Sequence, residues 1–330
     1  MDKKSINIGI PAFNEEDSLR KCISAIEEAT KNINNRIKTY ICLNGCKDKT
    51  EEVANRCRKE FLNLNITVLK SKIGKLLAQK EIIKNISSNN EYVMFIDADA
   101  EIEKNALKII INELNKHRDL IVVGSFPVAK KYIGFNPWKK ILDKILNIRS
   151  RHPKSEISKL NVKEYHLHAI KDPQKINTSK IHELKSKIFF HGRLFVLRSK
   201  KYWKMPDLKK GIVGDDSFLP DFLIHKYGKN KIRIRYDAIV YYNPFTSLIK
   251  HYKTYKRIFF DLQNLRKGYP EFKDIRDHSI LILDKNYISH QKFRTRMAFY
   301  MFELIRNIEK KFFKLSLNKN PFEIWENTKK

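Results

Sequence analysis

The sequence predicts an α/β protein built on a doubly wound, mostly parallel sheet flanked by helices. Short apolar segments alternate with segments of helical period along the first 128 residues. The apolar segments are nearly uninterrupted, as expected for strands that are buried on both faces. Polar residues follow several of them directly, at the strand ends where such sheets bind ligands. These three observations favour an α/β architecture over an all-α or all-β one.

The alternating region contains five predicted strands and four predicted helices. Each helix carries apolar residues at intervals of three and four, and the second one has Asp48 or Thr50 available as an N-cap. The predicted strands are residues 5–12, 38–44, 66–70, 92–98 and 120–126, and the predicted helices are residues 19–33, 47–61, 74–86 and 104–117.

The regular alternation stops after residue 128. Residues 129–187 are Lys-rich and irregular, apart from an amphipathic stretch at 137–148, and they are typical of an insertion or a mobile segment that covers a site. A strand at 188–199, a helix at 214–228 and a strand pair at 231–243 then follow, and the chain is basic and helical beyond about residue 247. We therefore predict one domain over 1–245, with halves 1–128 and 188–245, and a basic helical region over 246–330.

The net charge of the chain is +30, from 67 Lys and Arg against 37 Asp and Glu. Such an excess predicts attraction to polyanions, namely nucleic acid, an anionic membrane surface or phosphate-bearing substrates. A genome rich in Lys codons is an alternative explanation of the same excess. The sequence contains no apolar stretch of about 18 residues and no signal-peptide pattern. We therefore expect a cytoplasmic protein, with peripheral attachment to the inner face of the membrane left open.

Two carboxylates follow the predicted strand at 92–98. Asp97 and Asp99 stand one residue apart where the chain leaves the sheet, so both can reach one hard divalent ion. Mg²⁺ or Mn²⁺ bridging phosphate oxygens is the expected partner of such a pair. A solvated turn, or acids placed at the N-terminus of the following helix, would explain the same residues without a metal.

A second acid pair, Asp215 and Asp216, opens the predicted helix at 214–228. Either carboxylate could cap that helix. If the pair faces the same cleft as Asp97 and Asp99, one of its members could act as a general base toward an acceptor hydroxyl.

Six short motifs occur in an order that resembles glycosyltransferase family 2, whose fold is called GT-A. The motifs are PAFNEE, NGCKDKT, Gly74-Lys75 followed by Ala78, FIDADA, HGRLFVLR and GDDSFL, and the resemblance covers residues 5–128 and 188–230. It implies a metal-dependent transferase that moves a sugar, with inversion, from a nucleotide-diphosphate donor, expected to be a UDP-sugar, to an acceptor hydroxyl. It also implies Mn²⁺ or Mg²⁺ as cofactor. A glycan, lipid-linked or small-molecule acceptor would fit, in glycan, capsule, lipopolysaccharide or lipid-linked saccharide assembly.

The resemblance also implies roles for individual residues. Asp97 matches the acid near the ribose, and Asp99 matches the acid that binds the metal on the diphosphate. Asp216 matches the catalytic base, with Asp215 as its supporting acid. The positions that match the family's other donor-binding and sugar-binding segments are Pro11, Ala12, Asn14, Glu15, Lys75 and Arg193.

Asn44 marks a departure from the family's pattern, and His251 lies outside the six motifs. Members commonly carry Asp-Asp-Gly-Ser after the second strand, where an Asp helps to read uracil. Here Asn44 is the only polar candidate at that place, which leaves the base preference open. His251 falls in a basic region that often closes over the pyrophosphate, and we predict that it contacts phosphate or metal. A solvated histidine on the face of a basic helix is the alternative.

The last helical segment places Met297, Phe299, Phe302, Ile305, Ile308 and Phe312 among Arg and Lys residues. A basic amphipathic helix can lie on an anionic bilayer, although a helix that packs its apolar face onto the domain would show the same pattern. Two other functions compete with the transferase. A nucleic-acid-binding protein would fit the charge but would leave both acid pairs unexplained. A nucleotidyltransferase would require a Gly-rich loop after the first strand, which PAFNEE does not supply.

Overall fold

The computed structural model describes residues 5–87, 91–148, 191–199, 205–208, 214–273, 275 and 291–314. In this part of the chain, eight strands form one mixed sheet with helices on both of its faces. The predicted fold class is therefore confirmed. The strands are β1 (Ser5–Ala12), β2 (Arg36–Leu43), β3 (Ile66–Lys70), β4 (Tyr92–Ile96), β5 (Ala100–Ile102), β6 (Val122–Ala129), β7 (Leu194–Arg198) and β8 (Ile232–Tyr242).

The α-helices in the described residues agree closely with the predicted ones. The first four end or begin within three residues of the predicted bounds, because the apolar period marks each helix clearly. The helices are α1 (Leu19–Thr30), α2 (Thr50–Glu60), α3 (Lys75–Asn85), α4 (Ala106–Lys116), α5 (Pro137–Leu146), α6 (Asp215–Tyr227), α7 (Leu248–Gly268) and α8 (Phe293–Lys314).

The strand order is β3-β2-β1-β4-β7-β6-β8-β5. The first four strands of this order are mutually parallel, and so is the pair β6 and β8, whereas β7 runs antiparallel to both of its neighbours and β5 antiparallel to β8. Ile96 at the end of β4 lies opposite Leu194 at the start of β7. One position beyond that pair, the Asp97 N–H donates to the Arg193 carbonyl at 3.0 Å. The antiparallel insertion of β7 thus brings the HGR segment to the end of β4.

Three strand predictions require correction. The segment predicted as a strand pair at 231–243 is one 11-residue strand, β8, whose pairing with β6 is irregular between Gly124 and Phe126. A short strand that was not predicted, β5, follows Asp99 directly. Strand β7 begins at Leu194, and the first three residues of the strand predicted at 188–199 lie outside the described residues.

Side chains of β4 alternate between the two hydrophobic cores. Tyr92, Met94 and Ile96 pack with residues of α1, α2 and α4, whereas Val93 and Phe95 pack with residues of α3 and α6 on the opposite face. Because successive strand residues point to opposite faces, the next residue, Asp97, is directed toward the α3 and α6 side. The register of this buried strand therefore decides which elements surround the first carboxylate.

The described parts of α5, α7 and α8 form a helical group beside the sheet. Helix α8 contacts both α5 and α7, and a buried pair joins α7 to α8, with Nδ1 of His251 at 2.7 Å from Oε1 of Glu309. The Nη1 group of Arg306 is 2.9 Å from the other oxygen of Glu309. Among the described residues, no helix has the length and apolarity needed to cross a bilayer. The division of the chain at residues 128, 187 and 245 stays a prediction.

Candidate active site

The carboxyl ends of β1, β2 and β4 meet at one edge of the sheet, because these strands are neighbours and parallel. At this edge the chain turns sharply from β4 into β5, and the Ala100 N–H donates to the Asp97 carbonyl at 3.0 Å. This tight turn places both carboxylates beside the strand end. The Asp97 side chain keeps 21% of its surface exposed and that of Asp99 keeps 37%. Both acids are therefore held by the fold and accessible from solvent.

Lys75 lies at the centre of this edge. It is the first residue of α3, and its ammonium group forms ion pairs with Oδ1 of Asp97 and, at 2.8 Å, with Oδ1 of Asp215. It also donates to the carbonyl of Gly192 at 3.2 Å. The sequence motifs around residues 75, 97, 192 and 215 are thus joined by one cation. An ammonium group between two carboxylates offsets the repulsion that they would otherwise exert on each other.

Asp215 is buried at the start of α6. Its second oxygen, Oδ2, accepts a hydrogen bond from Nε2 of Gln79 at 2.8 Å. With both oxygens engaged and almost no exposed surface, this carboxylate serves as an anchor that fixes the start of α6. Its predicted role as a supporting acid fits this position. The side chain of Asp216 lies outside what the structure describes, so its role as a base stays a prediction.

Arg193 approaches the second carboxylate of the turn. Its Nη1 is 3.7 Å from Oδ1 of Asp99, and its guanidinium carbon lies 3.8 Å from the centre of the Tyr242 ring. A guanidinium group stacked on an aromatic ring is held in a fixed orientation while its N–H groups remain directed outward. Tyr242, at the end of β8, was not predicted as part of the site. No motif marks it, because its place depends on the pairing of β8 with β5 and β6.

The turns after β1 and β2 are joined to each other. The Ala12 carbonyl accepts from the Asn44 N–H at 3.0 Å, and Oδ1 of Asn14 accepts from the Lys47 N–H at 2.8 Å. Asn14 adopts a positive φ of 53°, a conformation that Asn tolerates better than most residues. The N–H of Glu15 donates to Oγ1 of Thr50 at 2.7 Å. The PAFNEE and NGCKDKT motifs therefore form one rigid ledge.

The side chain of Asn44 is buried on this ledge, and its Oδ1 has no hydrogen-bond partner in the described part of the chain. Beside it is an open, mostly apolar groove of about 470 Å³, lined by Gly45, Ser71, Lys72, Ile73 and Leu77. Gly45 has φ of +84°, and a Cβ at this position would lie 2.4 Å from the Ile73 side chain. The glycine therefore allows the close approach of Ile73 that forms one wall of the groove.

The prediction for His251 is not supported by the structure. The ring is fully buried and is held by Glu309 and by contacts with the rings of Phe245, Tyr255 and Phe302. Burial against α8 leaves no ring surface exposed to a phosphate or a metal ion in this conformation. The basic helix suggested either a ligand or a solvated residue, but the imidazole joins two helices.

The carboxylates fit a divalent ion of the expected kind. In the described residues, no group of three or more His, Cys, Asp and Glu side chains could enclose a metal by itself. Mg²⁺ in phosphate-transfer sites is commonly held by one or two carboxylates, with substrate phosphates and water as the remaining ligands. A half-exposed Asp99 with Asp97 beside it offers that partial set of oxygen ligands. Arg193 and Lys75 place positive charge around it for an anionic substrate.

Comparison with known proteins identifies the family. The model of the family described as glycosyl transferase family 2 matches residues 7–191, which is more than half of the chain. The chain belongs to glycosyl transferase family 2. The match spans the ledge, the Asp97–Asp99 turn and Lys75, so the predicted resemblance is confirmed.

The chain is also similar to individual known proteins. The glycosyltransferase GlyA of Streptococcus pneumoniae serotype 4 is 28% identical over 125 residues, which are 37% of this chain and 16% of that protein's length. The mannosyltransferase PcManGT of Pyrobaculum calidifontis, solved with GDP-Man and Mn²⁺, has a TM-score of 0.54 and 16% identity over 100% of this chain and 85% of its own. Glucosyl-3-phosphoglycerate synthase of Mycobacterium tuberculosis, solved with Mn²⁺, UDP and glucosyl-3-phosphoglycerate, has a TM-score of 0.44 and 14% identity over 73% and 72%. At such identities the likeness to PcManGT shows a shared GT-A fold.

Proposed function

We propose that this family 2 member transfers a sugar from a nucleoside-diphosphate donor to an acceptor hydroxyl with the help of a divalent cation. The observation that carries the proposal is the group of charges at the end of β4. Asp97 and Asp99 are accessible there, Lys75 joins Asp97 to the start of α6, and Arg193 approaches Asp99. A site that combines accessible acids with fixed cations suits a metal-bound diphosphate.

The proposed metal ligands are Asp99 and, beside it, Asp97, with Mn²⁺ or Mg²⁺ as the ion. When bound, such a cation would offset the negative charge that develops on the departing diphosphate. Arg193 is suited to hold a phosphate oxygen or the sugar, because its guanidinium group is oriented by Tyr242. Lys75 pairs with both Asp97 and Asp215 at the start of α6. It therefore fixes the proposed donor-binding carboxylates relative to the helix that carries the proposed base.

The nucleoside is proposed to bind on the ledge formed by the turns after β1 and β2. Pro11, Ala12, Asn14 and Glu15 supply its first wall. Oδ1 of Asn44 is buried and has no hydrogen-bond partner in the described part of the chain, and we propose that this side chain turns toward a bound base and accepts a hydrogen bond, such as from the N3–H of uracil. The apolar groove beside it can receive the ring. UDP is therefore the proposed nucleotide. The UDP and GDP-Man complexes belong to the similar proteins, and they support the donor class rather than one base.

Asp216 is proposed as the general base. Its neighbour Asp215 already binds Lys75 and Gln79 through both oxygens, so it is poorly placed to accept another proton. In the proposed step, the carboxylate of Asp216 takes the proton of the acceptor hydroxyl. The hydroxyl oxygen bonds to the anomeric carbon as the bond from that carbon to the phosphate oxygen breaks, which releases the nucleoside diphosphate. A single displacement of this kind inverts the anomeric centre.

Two single substitutions test the proposal, and a third serves as their control. The binding assay follows the unfolding temperature with UDP or GDP, with and without Mn²⁺, and the activity assay follows release of nucleoside diphosphate from the corresponding sugar donor. Asp99→Asn should abolish the Mn²⁺-dependent part of the thermal shift. Asp216→Asn should keep that shift and lower turnover by about 10³-fold, within the range of general-base effects.

Asp119→Asn is the matched control, because Asp119 is an exposed acid whose nearest cation, Lys231, is 4.0 Å away. It should behave as the parent chain in both assays. Nucleotide binding that needs no metal in the parent chain, or an Asp99→Asn variant that retains full turnover, would contradict the proposed site.

A further inference from the structure

Helix α8 has two apolar faces rather than one. Phe299, Phe302 and Phe313 are fully buried against the rest of the protein. A second set of large apolar side chains lies on the outward side, at intervals of three and four residues, which places them in one stripe along the helix. This α8 stripe consists of Phe293, Met297, Tyr300, Met301, Leu304, Ile308 and Phe312, all of them exposed.

The neighbouring helix α5 also presents apolar side chains to solvent. Helices α5 and α8 contact each other, and the segment that leads into α5 carries Phe135 with 96% of its surface exposed. Together with Ile133, Trp138 and Ile141, this residue forms a second exposed apolar set, the α5 set. Two exposed apolar sets on touching helices exceed the scattered exposed residues found on ordinary surfaces.

The charges around these two sets are almost entirely positive. Arg294 and Lys311 are exposed within the α8 stripe, and Lys131, Lys139, Lys140 and Lys144 are exposed around the α5 set. The acids in residues 131–144 and 293–314 are Asp143, Glu303 and Glu309. Asp143 and Glu309 are buried, and Glu303 is half-buried. The exposed surface of these segments thus combines apolar and aromatic side chains with cations.

We propose that the α8 stripe and the α5 set form a docking surface for a bilayer that contains anionic lipids. Phe, Leu, Met and Trp side chains gain free energy on entering the acyl boundary, while Lys and Arg can extend their charged ends to lipid phosphates. A second copy of the chain is disfavoured at this face, because both surfaces would carry the same positive charge. Nucleic acid would satisfy the cations but would leave the apolar side chains against a charged backbone.

Helix α8 is fixed to the rest of the protein, and this attachment determines how membrane docking would affect the domain. The buried pair His251–Glu309 and the contact of the Arg306 guanidinium with the Tyr255 ring, at 3.7 Å, hold α8 against α7. Membrane contact through α8 would therefore orient the whole domain instead of tethering it loosely. Docking of this kind is independent of the proposed transfer reaction, and either could exist without the other.

Co-sedimentation with vesicles tests the docking surface directly. The full chain is mixed with phosphatidylcholine vesicles, or with vesicles in which one part in three is phosphatidylglycerol. We expect binding to the anionic vesicles and little to the neutral ones. Leu304→Glu, at a position that is 61% exposed, should lower the partition coefficient about tenfold or more. The expected loss combines removal of an inserted side chain with an added negative charge.

Leu62→Glu is the matched control. Leu62 is 77% exposed in the 3₁₀ turn between α2 and β3, so the substitution and the charge change are identical but the location is far from α8 in the chain. It should bind vesicles like the parent chain. Because both variants add one negative charge, any difference between them reports the location of the substitution rather than the change in net charge. A comparable loss in Leu62→Glu and Leu304→Glu would overturn the proposal, since it would show binding by net charge only.

Insertion is measured separately through Trp138. The chain has three tryptophans, and Trp203→Phe with Trp325→Phe leaves Trp138 as the sole fluorophore. Anionic vesicles should shift its emission to shorter wavelength, and lipids brominated near the headgroup end of their chains should quench it. Absence of both effects, absence of vesicle binding by the parent chain, or a dimer that Leu304→Glu converts to a monomer would each overturn the proposal.

Discussion

Two ion clusters in this protein have similar composition but different settings. The strand-end cluster consists of Lys75, Asp97 and Asp215 with Gln79. The second cluster lies between α4 and the first half of β8, where both oxygens of Glu113 bind arginines, one Arg233 and the other Arg235. Each cluster joins elements far apart in the chain through carboxylates and cations. By their composition of carboxylates and cations alone, either could be chosen as the functional site.

Solvent access and strand direction separate them. The Glu113 side chain keeps 1% of its surface exposed and each arginine 11%, and Arg235 also forms a two-pronged pair with Asp237. Every charge of this Glu113 cluster is matched inside the protein. In the strand-end cluster, Asp97 remains partly exposed, and the more accessible Asp99 follows it. The matched charges of the Glu113 cluster are suited to stabilising the fold, whereas we propose that the strand-end cluster keeps charge available for a ligand at the carboxyl edge of parallel strands.

The largest effect on stability is expected at the Glu113 cluster. Glu113→Gln removes the anion shared by two buried arginines, and loss of one partner of a buried pair typically costs about 3–5 kcal/mol. Urea unfolding should show this decrease, while turnover well below the unfolding temperature should stay unchanged. Glu28→Gln, which removes an exposed pair with Lys31, is the matched control and should leave the urea midpoint unchanged. A large fall in turnover of folded Glu113→Gln would erase the distinction between the clusters.

A smaller stability effect, accompanied by a functional one, is expected at Lys75. Lys75→Met removes the ammonium group from both Asp97 and Asp215, while Asp215 keeps its hydrogen bond from Gln79. We expect a loss of about 2–3 kcal/mol in unfolding free energy together with weaker Mn²⁺-dependent nucleotide binding.

The double variant Lys75→Met with Asp215→Asn sharpens the measurement. It should recover part of the stability, because the buried carboxylate that the ammonium group neutralised is then replaced by a neutral amide, but it should not recover nucleotide binding. Additive stability losses in the double variant would show that Lys75 and Asp215 are not coupled.

Much of the fold and the first part of the site follow from local patterns in the sequence. The buried strands are short apolar runs, and Asp97 and Asp99 are conspicuous because they interrupt one such run at its end. The family motifs then assign roles without requiring any knowledge of side-chain contacts. What the sequence could not predict is the tertiary pairing. The hydrogen bond from Gln79 to Asp215 crosses 136 residues, and the stacking of Arg193 on Tyr242 depends on how β7 and β8 enter the sheet.

Helix α8 shows a second limit of sequence patterns. Apolar residues occupy so much of its circumference that the 3.6-residue period cannot decide which face packs inward. The predicted single apolar face mixed Phe299 and Phe302, which are buried, with Met297, Ile308 and Phe312, which are exposed. His251 was misjudged for a related reason, since its buried partner Glu309 lies 58 residues away.

The smallest expected effect is on the pH dependence of stability. Burial, the largest single influence, acts to raise the pKa of Glu113, but the hydrogen bonds and the positive charges of Arg233 and Arg235 together outweigh it and hold the pKa below the ordinary value of 4.5. A carboxylate whose pKa is lower in the folded state binds its proton more readily when unfolded. Its contribution to stability is therefore complete above the unfolded pKa and is lost as pH falls through the folded pKa.

Urea midpoints of the parent chain and of Glu113→Gln, measured from pH 7 down to pH 3, test this sign. The gap between the two proteins should be widest at neutral pH and should narrow on the acid side, because the parent chain then loses the ion pairs that the variant never had. A gap that stays constant throughout would mean that Glu113 stabilises the fold by packing alone. The conclusion that Glu113 stabilises the fold through its ion pairs would then be wrong. The contrast between the Glu113 cluster and the strand-end cluster would be wrong as well.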